Sequence, residues 1–138
     1  MDKGHVYLID DDLEILATLR QLLQFAGYQV RCWSNALDFL QELPNEAPAV
    51  VVTDMQMPKM TGLELHQALI EKGRQIPVIY LSGEASVGQA IRAMKHGAHE
   101  FLLKPFTRED LLGAISAGLE RDRIAMQQHI HRMRIAEA

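Results

Sequence analysis

Five short apolar runs are spaced along this chain, and a polar or charged residue cuts off each one. Val6-Tyr7-Leu8-Ile9 stops at Asp10-Asp11-Asp12, the run Tyr28 to Trp33 at Ser34, and Ala49-Val50-Val51-Val52-Thr53 at Asp54. Pro77 to Leu81 stops at Ser82-Gly83, and Phe101-Leu102-Leu103 stops at Lys104-Pro105. Between the runs lie stretches with apolar residues at helical spacing, such as Leu16, Leu19, Leu22, Leu23 and Ala26. Strands that alternate with helices pair in parallel, because each crossover must travel back over a face of the sheet. An α/β fold with helices on both faces follows. The third run shows no polar alternation, which predicts a central strand covered on both sides.

Helix ends are legible in the same way. Gly27 suits the position past the first helix. Ser34 is placed to cap a short second helix carrying Ala36, Leu37, Phe39 and Leu40, and Pro44 and Pro48 punctuate the loop after it. Thr61 caps a third helix, with Leu65, Leu69 and Ile70, that Gly73 closes. Val87, Ala90, Ile91 and Met94 line the fourth, which stops at Gly97, and Thr107 caps the fifth. In the tail, Leu112, Leu119, Met126 and Met133 recur every seven residues, but Ser116 and Arg123 occupy the second coiled-coil position before Ile130. Two readings fit this tail: a projecting linker helix with weak pairing tendency, or a terminal helix that frays.

Open parallel sheets bind ligands beyond the carboxyl ends of their strands, where strand order reverses. Asp10, Asp11, Asp54, Ser82 and Lys104 all fall at that edge. Clustered carboxylates raise one another's pKa and need a proton or a cation to coexist. Their oxygens, with backbone oxygen and water, suit Mg²⁺, and no Cys or His stands there to favour zinc. A carboxylate attacks a phosphoryl group once the charge on that group is neutralised, and positioning does most of the work. Asp54, alone at the end of the central run, is the natural acceptor. Lys104 offers a cation, Ser82 a hydroxyl, and Gly83 leaves room for a donor.

The remaining composition sets limits. The chain of 138 residues is 48% hydrophobic, enough to build one domain with a real core. No apolar run approaches the roughly 20 residues of a membrane span. The start MDKGHVYLIDDD is wrong for a secretory signal, so a soluble, cytoplasmic protein is expected. Net charge is -4, and through residue 60 nine acids face four bases, which disfavours direct contact with a nucleic-acid backbone. Cys32 is the only cysteine, suits a reducing compartment and reads as a packed thiol. His129 and His131, two apart, point different ways on a helix and make a poor metal pair.

The segments IDDD, VVVTDMQMPKMTG, YLSG and LLKPF resemble, in order and spacing, the receiver domain of two-component response regulators. The resemblance covers residues 4 to 120. It implies a flavodoxin-like (βα)5 three-layer sandwich with strand order 2-1-3-4-5, a receiver domain over 1–121 and a helical extension over 122–138. It implies that Asp54 takes a phosphoryl group from a sensor histidine kinase. Asp10, Asp11, Asp54 and the backbone carbonyl of Gln56 would hold Mg²⁺, with Mn²⁺ as a substitute, while Asp12 caps a helix. Ser82 and Lys104 would bind the phosphoryl group, and Phe101 would move inward in a switch of the face built from the fourth helix, fifth strand and fifth helix; plain core is the lesser alternative for Phe101. The Lys104-Pro105 bond would be cis. Ser82 stands where Thr is commoner and Phe101 where Tyr is frequent. Gln56 and Glu84, two past key positions, would flank the mouth of the site and set the dephosphorylation rate.

Within the family, the stretches LELHQALIEKGRQIPVIYLSG and AIRAMKHGAHEFLLKPF look most like the NarL/FixJ type, whose LuxR-type helix-turn-helix output would be the only contact with DNA and is outside these residues. The NtrC type is the nearest rival. A homodimer through the switch face on phosphorylation is implied too, and the domain would be a phosphoacceptor with its own phosphotransfer and autodephosphorylation rather than an enzyme. A Mg²⁺-dependent phosphohydrolase with an aspartyl-phosphate intermediate is an alternative, but its acid/base Asp two residues after the nucleophile is Gln56 here. A docking module that is never phosphorylated is another, although every member of the acid, Ser and Lys set is present. Dinucleotide binding fails at the first turn, which offers three acids where a pyrophosphate needs glycines.

Overall fold

A computed structural model describes residues 3–83 and 87–137, with side chains described over 3–83 and 88–130. Its elements run β1 His5–Ile9, α1 Leu13–Phe25, β2 Gln29–Trp33, α2 Ala36–Glu42, β3 Ala49–Asp54, α3 Gly62–Glu71, β4 Val78–Ser82, α4 Val87–Lys95, β5 Glu100–Leu103 and α5 Arg108–Glu137. The strands form one parallel sheet in the order β2-β1-β3-β4-β5. The chain steps from β1 outward to β2 and then crosses back to β3 on the other side of β1. The reversal lies between β1 and β3, and it opens a crevice at their carboxyl ends.

Side chains alternate across the sheet and divide the interior in two. Val6 and Leu8 of β1, with Val50 and Val52 of β3, pack under Leu16, Leu19 and Leu23 of α1 and Leu111, Ile115 and Leu119 of α5. Tyr7, Ile9, Val51 and Tyr80 face the other way, onto Trp33, Phe39 of α2, Leu65 and Leu69 of α3, and Ala93 of α4. This is the three-layer α/β/α sandwich with the flavodoxin-like strand order. Each large apolar side chain so enclosed contributes about 2 kcal/mol.

Helix starts follow from short polar side chains. Asp12 Oδ1 accepts from the amides of Glu14 and Ile15 (3.0 and 3.3 Å) and starts α1. Thr61 and Glu64 form a reciprocal capping box on α3. Thr107 and Asp110 exchange bonds in the same manner at α5. The cap of α2 is Asn35, not Ser34: its side chain accepts from the Asp38 amide at 2.9 Å, and Asn is at least as good a cap as Ser.

The fourth helix departs from its expected face. Ile91 and Met94 are 48% and 51% exposed, and the buried residue is Ala93. Val87, whose side chain was expected in that face, lies outside the described side chains. The helix meets the sheet along its small residues and leaves its larger apolar ones outward. In α5, Leu119 is buried and Leu112 half-buried against the body, so the first two heptad positions are spent on the core. Among the described side chains of that helix, Asp122 is the last that is buried, and beyond it only Met126 is half-buried.

Candidate functional site

Three strand tips deliver the polar residues to one edge. Asp10 follows β1 directly, and its amide donates to Trp33 O at 3.2 Å, which extends the ladder with β2 and turns the carboxylate inward. Asp10 Oδ1 accepts from the Asp12 amide at 2.9 Å. Its other oxygen, Oδ2, is buried and without a hydrogen-bond partner, in a residue only 4% exposed. Asp54 ends β3 and Ser82 ends β4, so both belong to the sheet instead of following it. Carboxylate oxygens of Asp10, Asp11 and Asp54 lie within 4.8 Å of one another.

Burial raises the Asp10 carboxyl to about 6; the Asp12 amide and the Lys104 ammonium draw it down, while Asp54 and Asp11 push it up. Burial also raises Asp54, opposed by Lys104 and by the backbone amides of Gln56 and Met55. Lys104 thus acts on both acids across the pocket. It is positioned by β5, its amide donating to Ser82 O at 2.7 Å, and it precedes a cis peptide bond to Pro105. A second cis bond joins Ala47 to Pro48, where the sequence suggested only a loop. Ser82 is 1% exposed and its Oγ has no partner. A Cβ on Gly83 would stand 3.9 Å from Lys104 Cδ, so there is space beside Ser82.

The loop after β3 is threaded alternately. Met55 and Met57 are buried in the core while Gln56 between them is exposed, at the margin of the acidic cluster. Lys59 adopts a left-handed backbone (φ 71°) in the turn that leads to α3. Phe101 pairs with Tyr80 in the register of β4 and β5 and is half-buried against the α2/α3 side of the core. Glu84 lies outside the described residues. Asp12 is separated from the other acids by its duty as a cap.

The donor set fits a small hard cation. Three carboxylates converge, and one buried oxygen is unbonded, an arrangement that costs free energy until a positive charge or a proton arrives. Carboxylate oxygens, with no sulfur or imidazole in the cluster, are what Mg²⁺ or Mn²⁺ accepts.

Two polar pairs escaped sequence reading. Tyr80 Oη lies 2.9 Å from His66 Nδ1 inside the α3 side of the core. At the opposite edge of the sheet, buried Asp122 accepts from the Ala49 amide (2.9 Å) and pairs with Arg74 at 3.4 Å. The first pair left the signal of a polar residue inside an apolar run, Tyr80 in VIYLS and His66 in LELHQAL, whereas Arg74 in EKGRQI and Asp122 in LERDRI stand among other polar residues and left none.

A sequence profile of the response regulator receiver domain matches residues 6–116. The response regulator protein TmoT of Ectopseudomonas mendocina is 39% identical over 132 residues, 96% of this chain and 59% of that protein. The C4-dicarboxylate transport transcriptional regulatory protein DctD of Pseudomonas aeruginosa is 37% identical over 132 residues, 96% of this chain and 29% of that protein. The chain therefore spans about three fifths or less of these relatives. Among solved structures, the response regulator StyR superposes with a TM-score of 0.91 at 34% identity, over 97% of this chain and 68% of its own. FixJ-N superposes with a TM-score of 0.80 at 34% identity, over 87% of this chain and 96% of its own. A profile match over most of its length, and relatives identical at more than a third of positions, place this chain among the receiver domains of response regulators.

Proposed function

We propose that Asp54 is the phosphoacceptor of a two-component signalling relay. A carboxylate oxygen of Asp54 forms a bond to phosphorus as the P–N bond of a sensor kinase phosphohistidine breaks, and the electron pair returns to the imidazole. The observation that carries this reading is the convergence of the Asp10, Asp11 and Asp54 oxygens within 4.8 Å, with the Lys104 ammonium acting on the same acids. Asp10, Asp11, Asp54 and the Gln56 carbonyl would hold Mg²⁺, or Mn²⁺ in its place. When bound, the ion neutralises charge on the phosphoryl oxygens.

The chain's own groups do the rest. Lys104 supplies a fixed positive charge toward one phosphoryl oxygen. The unpartnered Ser82 hydroxyl turns to donate to another. Phe101 follows into the space Ser82 leaves, and the face of α4, β5 and α5 is remodelled, a two-state element biased by a local charge. Gln56 and Glu84 flank the mouth and set how fast water removes the group.

The domain acts as a phosphoacceptor with intrinsic phosphotransfer and autodephosphorylation, not as a turnover enzyme. Residues 1–121 form the receiver and 122–138 a helical linker toward an output domain. Similarity to FixJ and to relatives named as transcriptional regulators supports an output of NarL/FixJ type that binds DNA, with a homodimer formed on phosphorylation through the α4-β5-α5 face. A cytoplasmic setting accords with a kinase partner, and no helix among the described residues is long and apolar enough to cross a membrane.

Intact-mass measurement after incubation with Mg²⁺ and acetyl phosphate tests the central claim. Wild type gains one phosphate mass and Asp54→Ala gains none. Equal gain in both proteins removes Asp54 from its role.

A further inference from the structure

The start of α3 is pressed unusually close to the backbone of the acidic edge. A Cβ on Gly62 would stand 2.7 Å from Asp54 O, 3.2 Å from Met55 Cα and 3.1 Å from Tyr80 Cε1. The Gly62 amide donates to Met55 O at 3.1 Å, and Met55 N donates to Leu81 O at 3.0 Å. Residues 55 to 62 thus form a closed loop whose two ends meet at one point, and Gln56 is carried on it. What holds that point from the core side is Tyr80. Its ring lies against Gly62, and its hydroxyl reaches both His66 Nδ1 (2.9 Å) and Gly62 O (3.4 Å).

The phenol has one proton, which limits the arrangement. Both contacts are satisfied together only when His66 Nδ1–H donates to Tyr80 Oη and Tyr80 O–H donates to Gly62 O. Tyr80 is fully buried and His66 nearly so, and burial, with His96 adding to it, lowers the His66 pKa and keeps the imidazole neutral. Two polar groups placed in an apolar interior are costly unless they are bonded, and bonded they fix one geometry. An aliphatic pair would fill the same space without anchoring anything.

We propose that Tyr80 and His66 are positioning residues that pin the first turn of α3 to Asp54 and Met55, and so hold the Gln56 loop in the conformation that completes a divalent-cation site. The inference rests on the reading of Asp10, Asp11, Asp54 and Gln56 as that site. Neither residue touches the acids; both act through the backbone.

Calorimetric titration of the chain with Mg²⁺ alone tests this, on wild type, Tyr80→Phe, His66→Leu, His66→Asn and the Tyr80→Phe/His66→Leu double variant. Tyr80→Phe keeps the ring against Gly62 and removes only the hydroxyl. It raises the Mg²⁺ Kd at least about twofold, the factor carried by a hydrogen bond at the weak end of the usual range. His66→Leu does the same, the double variant is no worse than either single one, and His66→Asn, which keeps a polar atom near Nδ1, returns to wild-type affinity. Phosphorylation by acetyl phosphate slows in Tyr80→Phe at low Mg²⁺ and recovers at saturating Mg²⁺.

A lowered melting temperature in Tyr80→Phe with wild-type Mg²⁺ affinity makes the pair plain core and overturns the proposal. If wild type is phosphorylated on Asp54 while Tyr80→Phe binds Mg²⁺ normally, this inference alone fails. If wild type takes no phosphate but Tyr80→Phe still weakens Mg²⁺ binding, the phosphoacceptor reading fails and the positioning role stands.

Discussion

Asp10 carries the sharpest conflict between folding and function at the level of single residues. Its carboxylate is nearly sealed from water, one oxygen has no partner, and two other acids lie beside it. Its pKa of about 6 stands above the ordinary 3.8, so the native state without metal binds that proton more tightly than the unfolded chain does. The stabilisation linked to that proton is fully present below the unfolded value and is lost as pH rises through about 6. At neutral pH the ionised group therefore works against the fold by about 3 kcal/mol, from a shift of roughly two units. Asp10→Asn keeps an acceptor for the Asp12 amide and removes the charge. It is expected to melt higher than wild type at pH 7.5 in the presence of a chelator, and to gain nothing from added Mg²⁺. A variant that melts lower in chelator, or that Mg²⁺ stabilises as much as wild type, contradicts this account. The acids were legible from the sequence because each interrupts an apolar run. The Tyr80–His66 pair was not, because an aromatic ring and an imidazole at core spacing look the same whether or not they are bonded.

Among the elements, α5 shows how backbone approach sets what a position tolerates. Gly113 and Gly118 lie in the same helix, but a Cβ on Gly113 would meet nothing within 4 Å, while one on Gly118 would stand 2.8 Å from Val50 Cγ1 and 3.3 Å from His99 Cδ2. Gly118 is where the helix lies on the central strand. Gly113→Ala should raise stability by about 0.5–1 kcal/mol, the ordinary helix gain. Gly118→Ala receives the same gain but must displace a short, stiff side chain in a packed interior, a cost of about 1–3 kcal/mol. Urea melts of the two variants should therefore differ by at least about 1 kcal/mol, with Gly118→Ala the lower. Equal midpoints would mean that the helix shifts outward freely. The same geometry explains which elements sequence reading placed well. Strands were legible to within a residue: β1, β3 and β4 because both faces are buried and the apolar runs are continuous, and the half-exposed edge strands β2 and β5 because polar residues bound their runs. The face of α4 was misjudged because its contact is made by Ala93, and small residues leave little trace in a hydrophobic pattern. The heptad of α5 was real as spacing, yet Leu119 is consumed by the core, since a helix lying on a sheet and a helix facing another helix share nearly the same period.

For the whole molecule, stability between pH 5 and 7 is a sum of opposing titrations. His66 and His99 both titrate below the ordinary 6.5, chiefly because burial disfavours the imidazolium; His96 adds to this for His66, and Arg121 for His99, with Glu100 pulling the other way. The unfolded chain therefore takes up those protons first, and stability falls as pH drops through 6.5. Asp10 acts in the reverse direction over the same window, since its proton is bound more tightly in the native state. Without metal the two trends oppose each other, and the melting temperature should change less between pH 7 and pH 5.5 than it does with Mg²⁺ bound. With Mg²⁺ held by the acids, Asp10 no longer takes the proton at pH 6, and the histidine contribution is left unopposed. The melting temperature with Mg²⁺ should then fall on acidification, and the gap between metal-bound and metal-free protein should close. Asp10→Asn, lacking the compensating group, should show the acid-side loss with or without metal, and adding His66→Asn should lessen it to the part that His99 contributes. A Mg²⁺ gap of constant size from pH 7.5 to pH 5.5 would show that protons and the cation do not compete for the same oxygens.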